Sequence, residues 1–140
     1  MLFVFAFTVN HNGRMSYRSR VIESQNGFQS AQDVRDLSAA LAMDCGVTNV
    51  TAVNWSQLPE DPTLVDGYCV YLVSYWYETP QIGNQLKAGI SCVEMLWRPI
   101  RSTADLHALE EYLRARNQCA EVHIINCQAM MSPSLLLLEG

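Results

Sequence analysis

The sequence predicts an α+β fold in which a ββαβ unit occurs twice, giving about six mostly antiparallel strands with two helices packed on the sheet. Three observations predict it. Residues 30–58 and 102–130 align without a gap at a spacing of 72 residues. Each stretch opens with a helix-capping signal and closes with a strand-like run, and a hairpin pattern precedes each. The first strand of each unit is apolar on both faces, which is typical of a central strand.

The two helices are predicted by a shared cap and an apolar stripe. Ser30 and Ser102 are suitable N-caps, and an aspartate three residues later completes a capping box. Apolar residues then recur at helical spacing. They are Val34, Leu37, Ala40 and Leu41 in the first unit, and Leu106, Leu109, Tyr112 and Leu113 in the second. We therefore expect helices over about 30–44 and 102–116.

Strands are predicted on both sides of each helix. In the first unit the Asn12-Gly13 pair favours a tight hairpin turn. In the second unit the turn is expected at residues 79–84. The strands are predicted at 2–9, 14–24 and 47–55 in the first unit, and at 67–78, 87–97 and 120–130 in the second.

The chain of 140 residues is predicted to form a single domain, 1–140, with an internal repeat of 1–58 and 67–130 joined by a linker at 59–66. One unit of about 60 residues buries too little surface to be stable alone, so the two units are expected to share a core. The pattern leaves open whether the strands form one continuous sheet or two facing sheets.

The first strand needs a cover on both faces. Phe3, Phe5 and Phe7 alternate with the equally apolar Leu2, Val4 and Ala6. One helix layer covers only one face. The second cover could be the other repeat, the C-terminal tail or another copy of the chain, and we therefore predict a possible homodimer.

Composition narrows the function classes. The net charge is −5 with a single lysine, which argues against extensive nucleic-acid binding. No apolar run reaches the length of about 18 residues that a membrane span needs. Five cysteines without a C-x-x-C pair indicate reduced thiols in a cytoplasmic protein rather than disulfides or a zinc site. We expect no cofactor.

The sequence offers no convincing catalytic group. His123 and Cys127 lie four apart on one predicted strand, so they should share a face at about 13 Å, too far for a hydrogen bond. The helical carboxylates, Glu110 among them, are explained by capping or solvation. Metal-ligand spacing and glycine-rich phosphate loops are absent. We therefore predict that the protein is not an enzyme and assign no catalytic residue.

Two features are candidates for partner binding. Arg14, Arg18 and Arg20 share one face of a predicted strand. They either protect an edge strand from aggregation or contact an acidic partner surface or a phosphate. Trp76 and Tyr77, close to the second turn, are the better interface candidates among the aromatic residues, since tryptophan and tyrosine are common at interfaces.

The capped helix followed by a strand ending near Asn54-Trp55-Ser56-Gln57-Leu58 looks like small uncharacterised proteins of bacterial prophages and other mobile elements, which often have one ββαβ unit. The resemblance implies an accessory protein that binds host or rival-element machinery. We expect a non-enzymatic interaction protein, such as an inhibitor or adaptor that binds a host or defence-system protein. The alternative is a small-molecule-binding protein or enzyme with a pocket between the two repeats, which polar groups converging from both repeats would favour.

Overall fold

The computed structural model describes residues 1–62, 64–79 and 86–130 and has an α+β fold. The elements, in chain order, are β1 (Leu2–His11), β2 (Arg14–Glu23), α1 (Ala31–Cys45), β3 (Asn49–Leu58), β4 (Leu64–Val65), β5 (Tyr68–Thr79), β6 (Leu86–Leu96), α2 (Thr103–Asn117) and β7 (Glu121–Ala129). The strands form two antiparallel sheets, which answers the question that the sequence left open. Sheet 1 has the order β2-β1-β3, and sheet 2 has the order β6-β5-β7 with the short β4 paired to the start of β5.

The two halves match in local detail as well as in element order. Both helices start with the predicted capping box, at Ser30 and Ser102. Both end at a residue in the left-handed conformation, Gly46 in α1 and Gln118 in α2. Each of these pairs is 72 residues apart, the spacing of the sequence alignment. The internal repeat stays a prediction, because similar geometry does not by itself establish a duplication.

The first hairpin forms where the Asn-Gly pair predicts it. Asn12 and Gly13 have φ angles of 52° and 78°, so both lie in the left-handed region that a two-residue hairpin turn of the primed type requires. The predicted turn of the second hairpin falls largely on residues 80–85, outside the described residues. The linker predicted at 59–66 contains β4, which adds a seventh strand to the six that were expected.

Strand β1 is covered on both faces within the chain. On one face Phe5, Phe7 and Val9 pack with Leu41 of α1 in a small core. On the other face Val4 joins a larger core. That core includes Leu58 of β3, Tyr71 and Val73 of β5, Leu106, Leu109 and Leu113 of α2, and Ile124 and Cys127 of β7. The two sheets and α2 therefore share one core, whereas α1 covers sheet 1 alone.

The free edge of β7 runs against sheet 1 and is capped by side chains. Its Ile124 N–H donates to Glu110 of α2 at 2.9 Å, and its Cys127 N–H donates to Ser56 Oγ of β3 at 3.2 Å. Strand β7 also contacts β1 and β2. An edge strand with open N–H groups is costly when it is buried, so these two side chains allow the sheets to meet here.

A β-bulge in β7 corrects one prediction. Ser74 of β5 pairs with Asn126 and Tyr75 pairs with Ile124, so one residue of β7 is left unpaired between them. The extra residue reverses the alternation of side chains beyond it. His123 therefore lies on the face of Trp76, whereas Cys127 lies in the core on the face of Val73. The prediction that His123 and Cys127 share a face is wrong.

Candidate interaction surface on the edge of β2

Strand β2 is an edge strand whose outer side is partly open. Met1 and Ser24 exchange two backbone hydrogen bonds of 2.9 Å, which makes them a hydrogen-bonded pair of the β1–β2 ladder. Hydrogen-bonded and non-hydrogen-bonded pairs alternate along an antiparallel ladder. The N–H groups of Met15, Tyr17, Ser19 and Val21 must therefore point away from β1.

Only the last of these outward N–H groups has a partner among the described residues. Val21 N–H donates to Thr103 Oγ1, at the start of α2, at 3.1 Å. The N–H groups of Met15, Tyr17 and Ser19 find no acceptor in the part of the chain that the structure describes. We call the stretch from Met15 to Ser19 the open edge; Ser19, which is 2% exposed, forms its buried end. It borders a groove of about 590 Å³ between β2, α2 and β7.

The three predicted arginines lie on one face of β2, on the side of α1. Arg14, Arg18 and Arg20 pair across the ladder with His11, Phe7 and Phe5. Arg20 is half-buried and forms an ion pair with Asp44 near the end of α1. Arg14 and Arg18 are exposed. The structure thus divides the arginine row into one residue that binds α1 and two that border the open edge.

The two predicted aromatic residues lie on opposite faces of β5. Trp76 is half-buried and stacks on Tyr17 of the open edge, with ring centroids 5.8 Å apart and planes inclined by 19°. Tyr77 packs against the larger core beside Tyr75. Trp76 therefore joins the open edge on the face of β2 opposite the arginines, whereas Tyr77 contributes to the packing of sheet 2.

The opposite wall of the groove is acidic and contains two histidines. His107 and Glu111 come from α2, and Glu121 and His123 come from β7. Glu121 Oε2 lies 3.1 Å from His123 Nε2, and Tyr17 packs against the His123 ring at 6.4 Å. An extended ligand on the open edge would thus have arginines along one side and carboxylates along the other.

Glu110 lies at the buried end of this groove. Its Oε2 accepts the Ile124 N–H at 2.9 Å and the Ser19 hydroxyl at 3.5 Å, and its Oε1 lies 3.8 Å from His107 Nε2. Burial raises the pKa of the Glu110 carboxyl, and the Ile124 N–H, the two histidines and Ser19 only partly oppose this. The prediction that Glu110 is solvated is wrong, because its side chain is 12% exposed and caps the edge of β7.

Neither of the two cysteine thiols whose pKa is shifted is activated as a nucleophile. Burial raises the pKa of the Cys127 thiol to about 12, so this thiol stays protonated near neutral pH. Burial also raises the pKa of the Cys92 thiol. Within the described ranges, no three His, Cys, Asp or Glu side chains are grouped to hold a metal ion. No helix in the same ranges is long and apolar enough to cross a membrane.

Comparisons with known proteins add no relative: no family model, curated protein or solved structure matches the chain. The surface is therefore interpreted from its own geometry.

Sequence reasoning missed part of this surface. Tyr17 lies on the face of β2 opposite the arginines, and its contact with Trp76 and His123, which joins the two sheets, has no local signal in the sequence. Glu110 had a weak signal. It stands four residues after Leu106 and three before Leu113, at the border of the apolar stripe, where a carboxylate can be drawn into the core.

Proposed function

We propose that this protein is a non-enzymatic binding module that takes an extended acidic segment of a partner protein as an added strand on β2. The observation that carries the proposal is the open edge, Met15–Ser19, with its outward N–H groups beside the exposed Arg14 and Arg18. An exposed edge binds an extended peptide through main-chain hydrogen bonds, and flanking side chains select the sequence.

The charges beside the open edge define the partner segment. Successive side chains of an added strand point to opposite faces. Those on the α1 side would meet Arg14 and Arg18, whereas those on the groove side would meet Glu111, Glu121 and His123. The segment should therefore carry acidic residues at every second position, with neutral or basic residues between them.

The arginines also disfavour the competing occupant, a second copy of β2. Antiparallel pairing of two open edges requires outward N–H residues to stand opposite outward N–H residues. The alternate residues, Arg14, Ser16 and Arg18, would then stand opposite one another across the new ladder. Like charges directly opposite are destabilising, so the same arginines would prevent self-pairing and recruit an acidic strand. The predicted role in edge protection and the proposed role in binding are compatible.

The predicted homodimer needs another surface. Val93 and Met95 of β6 are exposed on the outer face of sheet 2, beside Leu72 of β5. This apolar face is the candidate dimer seam. Light scattering at micromolar concentration tests it: a dimer has twice the mass of the 15.8 kDa chain, and a clean monomer would remove the homodimer from the account.

The cytoplasmic location is expected from the cysteines, whose number and spacing indicate reduced thiols. That the partner is a host or defence-system protein, and that the binding module acts as an inhibitor or adaptor, rests on the resemblance to mobile-element proteins. The strand-addition proposal does not depend on it. A partner of any origin with an alternating acidic segment would satisfy the geometry.

Binding of a designed peptide tests the proposal. The probe alternates glutamate with threonine, and the comparison peptide has the same composition with its glutamates consecutive. Calorimetry should show binding of the alternating peptide that weakens with added salt, because exposed ion pairs are screened. Equal affinity for both peptides, or no binding of either at millimolar concentration, would refute strand addition.

Two variants locate the site. The double change Arg14→Ser and Arg18→Ser should weaken binding about tenfold or more, because it removes both charges that face the acidic residues. Its control is Arg35→Ser with Arg98→Ser, which removes the same net charge from two exposed arginines elsewhere. Met15→Pro removes one outward N–H and should also weaken binding, with Met15→Thr as its control. If either control variant weakened peptide binding as much as the variant it is matched with, the open edge would not be the binding site.

A further inference from the structure

A second groove lies where the two halves of the chain meet. It has a volume of about 710 Å³, within the range of small-molecule sites. The first half contributes the end of β3 and the residues after it, and the second half contributes the end of β7. Its main polar side chains are Asn54 and Ser56 from β3, and Asn126 and Gln128 from β7. This groove is separate from the open edge of β2.

Paired bulges place the two asparagines. In sheet 1, Ala6 pairs with Asn54 and Phe7 with Ala52, so one residue of β3 is unpaired. In sheet 2, the bulge of β7 lies immediately before Asn126. The two asparagines are 72 residues apart in the sequence and flank equivalent bulges. Bulges often re-aim side chains beside binding sites, and these two bring an asparagine from each half to one groove.

One polar atom at this groove lacks a partner. Asn126 Oδ1 is buried and accepts no hydrogen bond within the described part of the chain. An unsatisfied buried acceptor is costly, because it has lost its contact with water and gained no hydrogen bond in return. Because χ2 of asparagine is a soft torsion, the carboxamide can rotate to meet a ligand N–H that enters the groove. Ser56 Oγ already accepts the Cys127 N–H, which leaves its own O–H as a donor for a ligand.

The residues that line the groove also indicate the charge of its ligand. Asp61, whose side chain is fully exposed, is the one charged residue among the described side chains that line the groove. Those described lining residues include neither an arginine nor a lysine that could hold a phosphate or a carboxylate. The apolar part of the wall includes Pro59, Pro62, Ala129 and Met130, against which a flat ring can pack. The groove therefore suits an uncharged, planar molecule with adjacent donor and acceptor groups.

We propose that this groove binds the base of a nucleoside, with the carboxamides of Asn54, Asn126 and Gln128 reading its edge. A carboxamide presents a donor and an acceptor side by side, which matches the edge of adenine in two hydrogen bonds. The ligand is a nucleoside or free base rather than a nucleotide, because no cationic side chain lines the groove in the part of the chain that the structure describes.

Titration by NMR tests the inference. Adenosine, guanosine, uridine and adenosine monophosphate are added separately to the ¹⁵N-labelled protein, and the side-chain amide signals of Asn54, Asn126 and Gln128 are followed. We expect saturable shifts of these signals with at least one nucleoside, adenosine first. No shift with any nucleoside up to millimolar concentration would overturn the proposal. So would tighter binding of the monophosphate than of adenosine, since that would place a phosphate site there.

Two variants sharpen the titration. Asn126→Ala should weaken nucleoside binding about tenfold or more, because it removes a hydrogen-bonding group at a buried site. Asn26→Ala, in the loop between β2 and α1, changes the same residue type at a position that does not line the groove and should bind like the wild type. Thermal unfolding of both variants controls for folding. Wild-type affinity in a folded Asn126→Ala protein would overturn the assignment.

Discussion

The two halves of the chain share their element order but use their helices differently. In α1 only Leu41 is buried, and the helix covers one face of sheet 1. In α2 Leu106, Leu109 and Leu113 are all buried and join the core that both sheets share. The apolar stripes of the two helices have the same spacing, but α2 buries more leucines because it packs in the core that both sheets share, whereas α1 packs on sheet 1 alone.

The ion pairs of the two halves differ in the same direction. Arg20 and Asp44 connect β2 with the end of α1 near the surface. Arg116 of α2 binds Glu94 of β6 with two hydrogen bonds, of 2.5 and 3.1 Å, and the Glu94 side chain is 6% exposed. The second half thus keeps a buried carboxylate that depends on one arginine, whereas the first half has a solvated pair.

The largest difference in stability between the two halves is expected for the equivalent leucines, Leu37 of α1 and Leu109 of α2. Leu109→Ala should lower the free energy of unfolding by about 2–5 kcal/mol, because it leaves a cavity in the shared core. Leu37→Ala should cost about 1–2 kcal/mol, because Leu37 is only partly buried against the smaller core. Chemical denaturation measures both. Equal losses of unfolding free energy would mean that the two helices contribute equally to the stability of the fold.

The next largest difference in stability between the two halves is expected for their ion pairs. Arg116→Met leaves Glu94 with the Cys92 thiol but without its cationic partner, and should cost about 2–4 kcal/mol, toward the lower part of the range for buried pairs because Arg116 is itself partly exposed. Arg20→Met should cost about 0–1 kcal/mol, as for surface pairs. The same denaturation assay compares them. A smaller loss for Arg116→Met than for Arg20→Met would contradict the assignment of the buried pair.

The raised pKa of the Glu110 carboxyl predicts that the stability of the protein depends on pH. Its folded pKa is raised above the ordinary 4.5, so the folded state binds this proton more tightly than the unfolded state. The destabilisation from Glu110 is therefore complete above the folded pKa and disappears as the pH falls below 4.5. We expect the stability of Glu110→Gln relative to wild type to rise as the pH rises from about 4 to 7.

Glu111→Gln is the control for this pH effect, because Arg114 lowers the pKa of the exposed Glu111 carboxyl. Loss of that carboxylate should give a small change of opposite sign with pH. Urea unfolding at several pH values measures both variants. A Glu110→Gln protein whose relative stability falls as the pH rises would show that the folded pKa is lowered rather than raised.

The smallest difference in stability between the two halves is expected for the residues that end the two helices. Gln118 and Gly46 occupy the same left-handed position after α2 and α1, with φ angles of 53° and 67°. Gln118→Gly should stabilise the protein by about 0.5–1 kcal/mol, and Gly46→Gln should destabilise it by about 1–2 kcal/mol. Thermal unfolding of the two single variants checks the signs. A destabilised Gln118→Gly protein would mean that the Gln118 side chain makes a contact that outweighs the backbone strain.

The sequence could predict the elements because their signals are local. Capping boxes at Ser30 and Ser102 and the Asn12-Gly13 turn act within a few residues, and the structure confirms them. The arrangement of the two sheets depends on contacts between distant residues, such as Ser56 with Cys127, and no local pattern encodes these. The division of the arginine row was also beyond prediction, since Asp44 reaches Arg20 only after α1 packs on sheet 1.

Amide hydrogen exchange along β2 tests the central claim most directly. In the free protein the Met15 and Tyr17 amides should exchange much faster than the Val21 amide, which donates to Thr103. The alternating glutamate–threonine peptide should slow the exchange of the Met15 and Tyr17 amides, and Met15→Pro should abolish the slowing at Tyr17. Slow exchange of these amides in the free protein, or a peptide that binds without protecting them, would contradict strand addition at the open edge.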